Sequence, residues 1–403
     1  MKNSSARQLV LEAEDVRRVV TSLFNAEFSS SLWHTNDKPR VDVAVAALLG
    51  NDRQRLVDRC LFFFDLPRNC IAMGSEHFSL DWLVDSLCQH PLERFNFQTS
   101  GTTGTKKTIT VALQIFASEA TAVANYFADC LRIVSVVPEH HHFGFSFSVV
   151  LPKYLNINVL RMAPLPTNTF INSLRNGDLL MAFPRFWQAL LPVVQHLNSN
   201  QLLSIDLKGL SSTSPCPSAV WDMLLQQLLC EITEIYGSTE TGAVGYRQNP
   251  RQPFNLLSHW VRIDDGKDVF LSRKCNQGEK NIPEPLLDRM EWVSERQFLP
   301  LGRIDHAVQV GGVNVYPEEV AKFIATHPDV QECVVRLMRP EEGVRLKAFI
   351  VPMESITLEE CHTHFGEPFR RWLQQQFSAP SCPKAFSYGQ ELPRNDMGKL
   401  SDW

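Results

Sequence analysis

Between residues 131 and 237 the sequence alternates short apolar runs with longer amphipathic ones, and this alternation constrains the fold more than any other feature. LRIVSVV, NVLRMAP, DLLMAFP and EITEIYG have the length and apolar content of buried strands. RFWQALLPVVQHLN and SAVWDMLLQQLLC have the apolar spacing of helices. Strands that alternate with helices predict an α/β fold, with a mainly parallel sheet flanked by helices.

The two ends of the chain follow other patterns. Residues 1–94 are predicted to be mainly helical, and a helix with Ser118 as its N-cap follows the next strands. Beyond Gly302 we expect a hairpin, a helix, two strands and another helix, which is enough for a small α+β domain. We therefore predict a large N-terminal domain, residues 1–304, and a small mobile C-terminal domain, residues 305–403.

A loop of small residues lies between two predicted strands in FNFQTSGTTGTKKTITV, residues 95–111. Its glycines let the backbone curl round a ligand, its hydroxyls can donate hydrogen bonds, and its lysine supplies positive charge. A Walker loop would read GxxxxGK[ST] and open into a helix, whereas a strand follows here. The loop therefore indicates a polyphosphate site of another class, with a plain turn as the alternative. The residues concerned are Thr99, Ser100, Gly101, Thr102, Thr103, Gly104 and Lys107.

Four segments in order resemble signatures of the adenylate-forming superfamily, which includes acyl-CoA synthetases, aryl-acid ligases and peptide-synthetase adenylation domains. They are TSGTTGTKK, EIYGSTETG, PLGRID and ELPRNDMGKL, at residues 99–107, 234–242, 300–305 and 391–400. The resemblance implies that ATP activates a carboxylic acid as an acyl-adenylate, with release of pyrophosphate. It also implies a C-terminal lid domain that carries the catalytic lysine.

The same resemblance implies roles for single residues. Lys399 would bridge the acid and the α-phosphate, and Thr239 would touch phosphate. Glu240 would hold Mg²⁺, and Asp305 would be the hinge. The adenine and ribose contacts would come from Ser214, Pro215, Tyr236, Gly237, Asp288 and Arg303. The sequence departs from the family pattern where LLD replaces Thr-Gly-Asp at Asp288 and where Gln309 replaces a lysine beyond the hinge.

VVPEHHHFGFSF resembles the family's pocket segment Pro-x-x-His-x-x-Gly, with His141 and Gly144 at the matching positions. Phe143 and Gly242 complete the predicted acid pocket. The alternating phenylalanines 143, 145 and 147 form either an apolar wall of the pocket or part of the core. Three adjacent histidines also suggest a metal site, although they lack the helical i, i+4 spacing of metal ligands. Amino-acid-activating members of this family usually carry an aspartate early in the pocket region that pairs the α-ammonium. No obvious counterpart follows Ala163, which favours an aryl or other non-amino acid.

Charge and cysteine usage exclude several classes of protein. The net charge is −5 with scattered Lys and Arg, unlike the basic face that nucleic acid requires. No apolar run reaches the roughly 18 residues of a membrane span. Ten cysteines without a CxxC pair predict reduced thiols and a cytoplasmic enzyme.

These observations predict an AMP-forming acid–thiol ligase that uses ATP and Mg²⁺. The expected acceptor is the phosphopantetheine of an acyl carrier protein, with free coenzyme A as the alternative. A catalytically degenerate adenylate-binding protein, a carrier-docking partner with a regulatory ATP site, and a phosphotransferase remain as other hypotheses.

Overall fold

A computed structural model gives the structure of the chain and divides it into two compact units. The first comprises residues 1–97, 108–285 and 292–298, and the second comprises residues 98–107, 286–291 and 299–403. The structure describes residues 9–28, 41–71, 78–99, 107–196, 206–264, 269–274, 283–284, 286, 288–304, 307–393 and 403, with only the backbone of Thr99, Pro283 and Arg303.

Within the described part of residues 1–93 four helices precede the first strand, which agrees with the prediction that this region is mainly helical. Their apolar faces are buried, and Ser79 caps the fourth by accepting a hydrogen bond from the backbone N–H of Trp82 at 3.1 Å. They are α1 Ala13–Phe28, α2 Val41–Ala46, α3 Gly50–Phe63 and α4 Leu80–Cys88. A two-stranded sheet of β1 Arg94–Thr99 and β2 Lys107–Ala112 follows, in the place of the predicted hairpin.

A nine-stranded sheet forms the centre of the first unit, and its first half is parallel. The parallel strands are β3 Arg132–Ser135, β4 Asn158–Arg161, β5 Asp178–Ala182, β6 Leu207–Ser211 and β7 Glu231–Ser238. The connections carry α5 Leu113–Val123, α6 His142–Gly144, a π-helical stretch Phe145–Val150, α7 Leu151–Leu155, α8 Asn168–Ser173, α9 Pro184–His196 and α10 Ser218–Gln227. The predicted α/β architecture is confirmed.

The other half of the sheet is antiparallel and the sequence did not predict it. Its strands are β8 Gly242–Arg247, β9 Phe254–Leu256, β13 Asp288–Ser294 and β14 Gln297–Arg303. A separate three-stranded sheet contains β10 Trp260–Asp264, β11 Val269–Arg273 and β12 Pro283–Glu284. The whole sheet has the order β13-β14-β9-β8-β7-β6-β5-β3-β4.

The core on one side of the sheet is built by the buried stripes of α9 and α10. Trp187 and Trp221 are fully buried there, in one apolar cluster with Val134, Leu180 and Leu207 of the sheet. Burying side chains of this size contributes on the order of 1.5–3 kcal/mol each, so this core holds the parallel strands in place.

The second unit has the predicted small α+β pattern. Its elements are β15 Val308–Val310, β16 Val313–Val315, α11 Pro317–Ile324, β17 Val330–Leu337, β18 Leu346–Pro352, α12 Cys361–His364, α13 Glu367–Gln376 and β19 Ala385–Tyr388. Gly311 and Gly312 both have positive φ, 60° and 82°, which fits the two-residue turn between β15 and β16. The parallel pairing of β19 with β18 was not predicted.

One local prediction is wrong. α5 begins at Leu113, directly after β2, so Ser118 lies inside the helix, where its hydroxyl donates to the Ile115 carbonyl at 2.7 Å. The phenylalanines 143, 145 and 147 lie on α6 and the π-helical stretch. Among the helices that the structure describes, none is long and apolar enough to cross a membrane.

Candidate active site

The carboxyl ends of the parallel strands bring several predicted site residues to one edge of the sheet. β3 leads into the histidine segment, β6 into the Ser214–Pro215 turn, and β7 into Thr239 and Glu240. In open α/β sheets this edge is where ligands bind, because loops leave all the parallel strands there.

The turn between β7 and β8 is held by its own hydroxyls. The Ser238 N–H donates to Thr241 Oγ1 at 3.2 Å, and the Thr241 N–H donates to Ser238 Oγ at 3.1 Å. The two hydroxyl oxygens are 3.0 Å apart. Thr239 and Glu240 lie at the tip of this turn and are half-buried. The turn therefore presents a hydroxyl and a carboxylate from a closed hydrogen-bonded frame.

Tyr236 lies near the end of β7, before this turn, and packs against two phenylalanines. Its ring centroid is 5.3 Å from that of Phe254 and 5.4 Å from that of Phe298. The ring is half-buried, and a register shift follows it between Tyr236 and Gly237. The packing fixes the orientation of an aromatic side chain at the carboxyl end of β7.

The turn after β6 contains the two residues predicted to border adenine. Ser214 is half-buried and Pro215 is exposed. The turn is held by Glu234 of β7, whose carboxylate accepts from the Cys216 N–H at 2.6 Å and pairs with Arg247. Burial raises the pKa of Glu234, and Arg247 opposes that shift.

The histidine segment folds tightly back on itself through Gly144. A Cβ at Gly144 would lie 1.9 Å from the carbonyl oxygen of Pro138, so any larger residue would open this turn. His140 Nδ1 is 2.8 Å from the Ser22 hydroxyl, and burial lowers the pKa of His140 to about 3. His141 is exposed and its ring lies 4.5 Å from that of His140. The predicted gate residue is thus exposed, next to a half-buried neighbour.

Of the three phenylalanines, Phe145 belongs to the core. It is fully buried among Phe63, Phe95, Phe97 and Phe116. Phe143 is buried too, and its ring contacts that of Phe147 at 5.4 Å.

A fully buried carboxylate, Glu119 of α5, contacts the predicted pocket residue Gly242 and was missed by the sequence analysis. Glu119 accepts from the Ser146 hydroxyl at 2.7 Å and from the Ala243 N–H at 3.2 Å. Burial raises the pKa of Glu119 to about 7, against the opposing charge of Arg273. Its spacing was a usable signal, because Phe116, Glu119, Ala120 and Val123 form the buried i, i+3, i+4, i+7 stripe of the helix.

Arg273 of β11 holds the same turn from another direction. It donates to the Thr241 carbonyl and, through Nε, to Glu284 Oε1 at 3.0 Å. Its guanidinium lies 4.3 Å from the centre of the Trp260 ring, and Trp260 Nε1 donates to the Ala243 carbonyl at 2.7 Å. The β7–β8 turn is therefore fixed by residues from α5, β10 and β11.

Comparison with known proteins gives the family. Residues 96–262 match the AMP-binding enzymes, and residues 319–399 match the AMP-binding enzyme C-terminal domain. A 4-coumarate–CoA ligase of Halorhodospira halophila is 32% identical over 404 residues, which cover 97% of this chain and 99% of that protein. The chain belongs to the adenylate-forming enzymes.

Further similarities agree with this assignment. A 4-coumarate–CoA ligase of Rhodobacter capsulatus is 30% identical over 414 residues, covering 96% of this chain and 100% of that protein. An o-succinylbenzoate CoA synthetase of Bacillus subtilis has a similar fold, with a TM-score of 0.57 and 17% identity over 79% of this chain and 72% of that one. This adenylate-forming enzyme is an acid–thiol ligase of the AMP-forming class.

The remaining predicted residues of the adenylate-forming enzyme are distributed as follows. Lys107 is exposed at the start of β2, Asp288 begins β13, and Arg303 ends β14. Thr99 is the last residue of β1. The loop residues Ser100, Gly101, Thr102, Thr103 and Gly104, the hinge Asp305 and the lysine Lys399 lie outside the described residues. Their roles, and the domain boundary at 305, stay predictions.

Proposed function

We propose that this enzyme activates a hydroxycinnamic-type aryl acid with ATP and transfers the acyl group to coenzyme A. Two relatives that match over nearly their whole length carry the name 4-coumarate–CoA ligase, which supports both the acid class and the acceptor. The observation in the structure that carries the proposal is the closed β7–β8 turn. It presents Thr239 and Glu240 at the ligand-binding edge of the sheet, and the turn ends at Gly242 beside the His142 ring, which packs on Phe116.

In the first half-reaction, a carboxylate oxygen attacks the α-phosphorus of ATP and pyrophosphate leaves. Negative charge gathers in that transition state, so donors and cations aimed at it lower the barrier. Lys399 would contact the carboxylate and the α-phosphate, and Thr239 would donate to phosphate. Lys107 and the loop of residues 99–104 would bind the departing pyrophosphate. His141, on the exposed side of the histidine segment, would line the entry of the acid.

Glu240 fits Mg²⁺ by the chemistry of its surroundings. Mg²⁺ is commonly held by one or two carboxylates together with substrate phosphates. Glu240 supplies a carboxylate at the tip of a fixed turn, next to the hydroxyl of Thr239. When bound, the ion would neutralise charge on the phosphates.

The nucleoside would be held by two groups of residues, one for adenine and one for ribose. Tyr236, Gly237, Ser214 and Pro215 would surround adenine, because β6 and β7 end side by side at the same edge of the sheet. Asp288 and Arg303 would bind the ribose hydroxyls. We assign Asp288 this role although LLD replaces the usual family sequence around it.

In the second half-reaction, the thiol sulfur attacks the acyl carbon and AMP leaves. Rotation about Asp305 would bring the hairpin β15–β16 towards the acyl-adenylate, with Gly312 at its turn leaving room for the thiol. Gln309, which replaces the lysine of relatives, pairs with Asn314 in this hairpin and is exposed. An acyl carrier protein is the competing acceptor. We place the reaction in the cytoplasm, since the nine described cysteines are free thiols.

The test is to identify the products formed from 4-coumarate, ATP, Mg²⁺ and a thiol. Coenzyme A and a phosphopantetheinylated acyl carrier protein are supplied separately, and the nucleotide product is resolved by chromatography. We expect AMP, pyrophosphate and 4-coumaroyl-CoA, with little product on the carrier protein. Product on the carrier alone would replace the acceptor, whereas formation of ADP would overturn the proposed chemistry.

A further inference from the structure

The buried carboxylate of Glu119 and the ring of the half-buried His142 converge on Gly242, and both retain hydrogen-bonding capacity. A Cβ at Gly242 would lie 1.7 Å from Oε1 of Glu119 and 3.3 Å from Cε1 of His142. The missing side chain at residue 242 is therefore what leaves room for both groups. Gly242 has φ of +66°, a conformation that glycine adopts without strain.

Glu119 retains hydrogen-bonding capacity. Its carboxylate accepts one hydrogen bond on each oxygen, from the Ser146 hydroxyl and the Ala243 N–H. An ionised carboxylate offers about four lone-pair sites, so further acceptor sites remain. Arg273 is the charged group that acts on it, and the same guanidinium also contacts Thr241, Glu284 and Trp260.

His142 has the complementary need. Its ring packs between Phe116, at 4.9 Å, and Phe97, at 5.3 Å. Its Nε2 atom is buried without a hydrogen-bond partner in the structure. Burial lowers the pKa of His142 to about 3, so the imidazole is neutral near pH 7. A buried polar nitrogen without a partner is costly, and a bound ligand that supplies a partner removes that cost.

We propose that Glu119 and His142 form the specificity-determining end of the acid pocket and bind a phenolic hydroxyl of the aryl acid. The hydroxyl donates to the Glu119 carboxylate and accepts from Nε2–H of neutral His142, so one ligand group satisfies both side chains. The rings of Phe97 and Phe116 beside His142 contact the aromatic ring of the acid. This inference rests on the proposed function and names the group of the substrate that the pocket selects.

A hydroxyl that bridges a donor and an acceptor discriminates strongly against acids that lack it. A site built to bind a substrate hydroxyl leaves its own polar groups unpaired when the analogue binds. We therefore expect the enzyme to prefer 4-coumarate over cinnamate and 4-methoxycinnamate. The methoxy acid keeps the oxygen that accepts from His142 but has no proton to donate to Glu119. Comparison of the two acids therefore distinguishes the contributions of the two hydrogen bonds.

The experiment measures kcat/KM for acid-dependent ATP–pyrophosphate exchange with 4-coumarate and with cinnamate, in wild type, Glu119→Gln, Glu119→Leu and His142→Leu. We expect a wild-type ratio of at least about tenfold in favour of 4-coumarate, a reduced ratio in Glu119→Gln, and a ratio near unity in Glu119→Leu. His142→Leu also lowers the ratio. A purely structural role would lower exchange with both acids equally and leave the ratio unchanged, which overturns the inference.

Asp178→Asn is the matched control, because Asp178 is another buried carboxylate but lies at the amino end of β5 and pairs with Arg132. Its ratio should equal that of the wild type. If the Glu119 variants do not fold, the wild type still decides. With AMP present, bound 4-coumarate should show a red-shifted ultraviolet band that bound 4-methoxycinnamate lacks. An unshifted band overturns the inference.

Different results would contradict the recognition of the hydroxyl and the activation of aryl acids. Equal wild-type exchange with 4-coumarate and cinnamate would remove the hydroxyl-reading role and leave aryl-acid activation intact. Exchange with neither acid would remove the proposed substrate class itself.

Discussion

Two buried carboxylates in the first unit, Asp178 and Glu119, are compensated in different ways. Asp178 accepts two hydrogen bonds from the Arg132 guanidinium, at 2.8 and 2.6 Å, and one from the Arg175 N–H at 2.7 Å. Glu119 has one hydroxyl and one backbone N–H. The first lies at the amino end of the sheet and the second beside the β7–β8 turn.

This difference distinguishes a carboxylate with a structural role from one that can still bind a ligand. A buried carboxylate that is fully paired holds two strands together and has little left to offer a ligand. A buried carboxylate with partial compensation has a raised pKa and free acceptor sites, which are features of functional positions. Four variants test this distinction, in order of decreasing expected effect.

Breaking the Asp178–Arg132 pair should have the largest effect on stability. Asp178→Ala leaves the Arg132 guanidinium, itself mostly buried, without its carboxylate. We expect a loss of about 3–5 kcal/mol in the free energy of unfolding, measured by urea denaturation. The preference for 4-coumarate over cinnamate in the folded fraction should not change. A loss well under 1 kcal/mol would contradict the assignment of Asp178 as a structural pair.

The pH dependence of stability should reveal Glu119. Its pKa is about 7 in the folded protein against an ordinary 4.5, so between these values the folded state binds more protons. Stability conferred by the protonated carboxyl is therefore present below about pH 4.5 and is lost as pH rises through 7, by up to about 3 kcal/mol. Arg273 and neutral His142 are the titratable groups that act beside it.

The measurement compares the free energy of unfolding of wild type and Glu119→Gln between pH 5 and pH 8. We expect Glu119→Gln to gain stability relative to wild type as pH rises. Asp178→Asn, measured in parallel, is the control for a substitution at another buried carboxylate. A difference between wild type and Glu119→Gln that is constant with pH would show that Glu119 does not titrate in this range.

Gly242→Ala tests the space that Glu119 and His142 share. The new methyl group would clash with Oε1 of Glu119, and alanine at φ of +66° is strained. We expect a loss of about 1–3 kcal/mol, seen as a lower Tm, and a weakened preference for 4-coumarate. Gly50→Ala is the control, since Gly50 has φ of +46° and nothing within 4 Å of a new Cβ. Gly50→Ala should lower Tm through backbone strain alone and leave the preference for 4-coumarate unchanged.

The smallest effect is expected at an exposed pair. Asp222 and Arg251 form a salt bridge with both side chains at least 40% exposed. Exposed pairs contribute little, because water and salt screen them. Asp222→Asn should leave Tm unchanged within about a degree in thermal denaturation. A clear loss of stability would mean that burial does not determine how much these carboxylates contribute to stability.

Much of the fold could be predicted because its signals are local. Buried runs such as DLLMAFP and the amphipathic helix α9 specify their own secondary structure, and the Gly311–Gly312 pair specifies a hairpin turn. The start of α5 could not be predicted from a cap, since Leu113 follows β2 directly and its N–H donates to the Glu93 carbonyl at 2.7 Å. The π-helical stretch also has no sequence signature, so the spacing of its phenylalanines could not decide between a pocket wall and the core.

The site was only partly predictable for a related reason. The signature residues Tyr236, Thr239 and Glu240 are adjacent in sequence, so their motif is visible without a structure. Glu119 and Gly242 are 123 positions apart and meet only because α5 packs against β8. A glutamate in a helix is usually exposed, and only its place on the apolar stripe indicates otherwise. Long-range contacts of this kind require the structure.

The most direct test of the account is carboxylate-dependent ATP–pyrophosphate exchange in the wild type and in Lys399→Ala, across benzoic, cinnamic, short-chain and long-chain acids. We predict exchange with hydroxylated cinnamic acids and a loss of about 10²-fold or more in Lys399→Ala, because the transition state would lose its cation. Absence of exchange with every acid, in a folded protein that binds ATP, would contradict acid activation and favour a catalytically degenerate adenylate-binding protein.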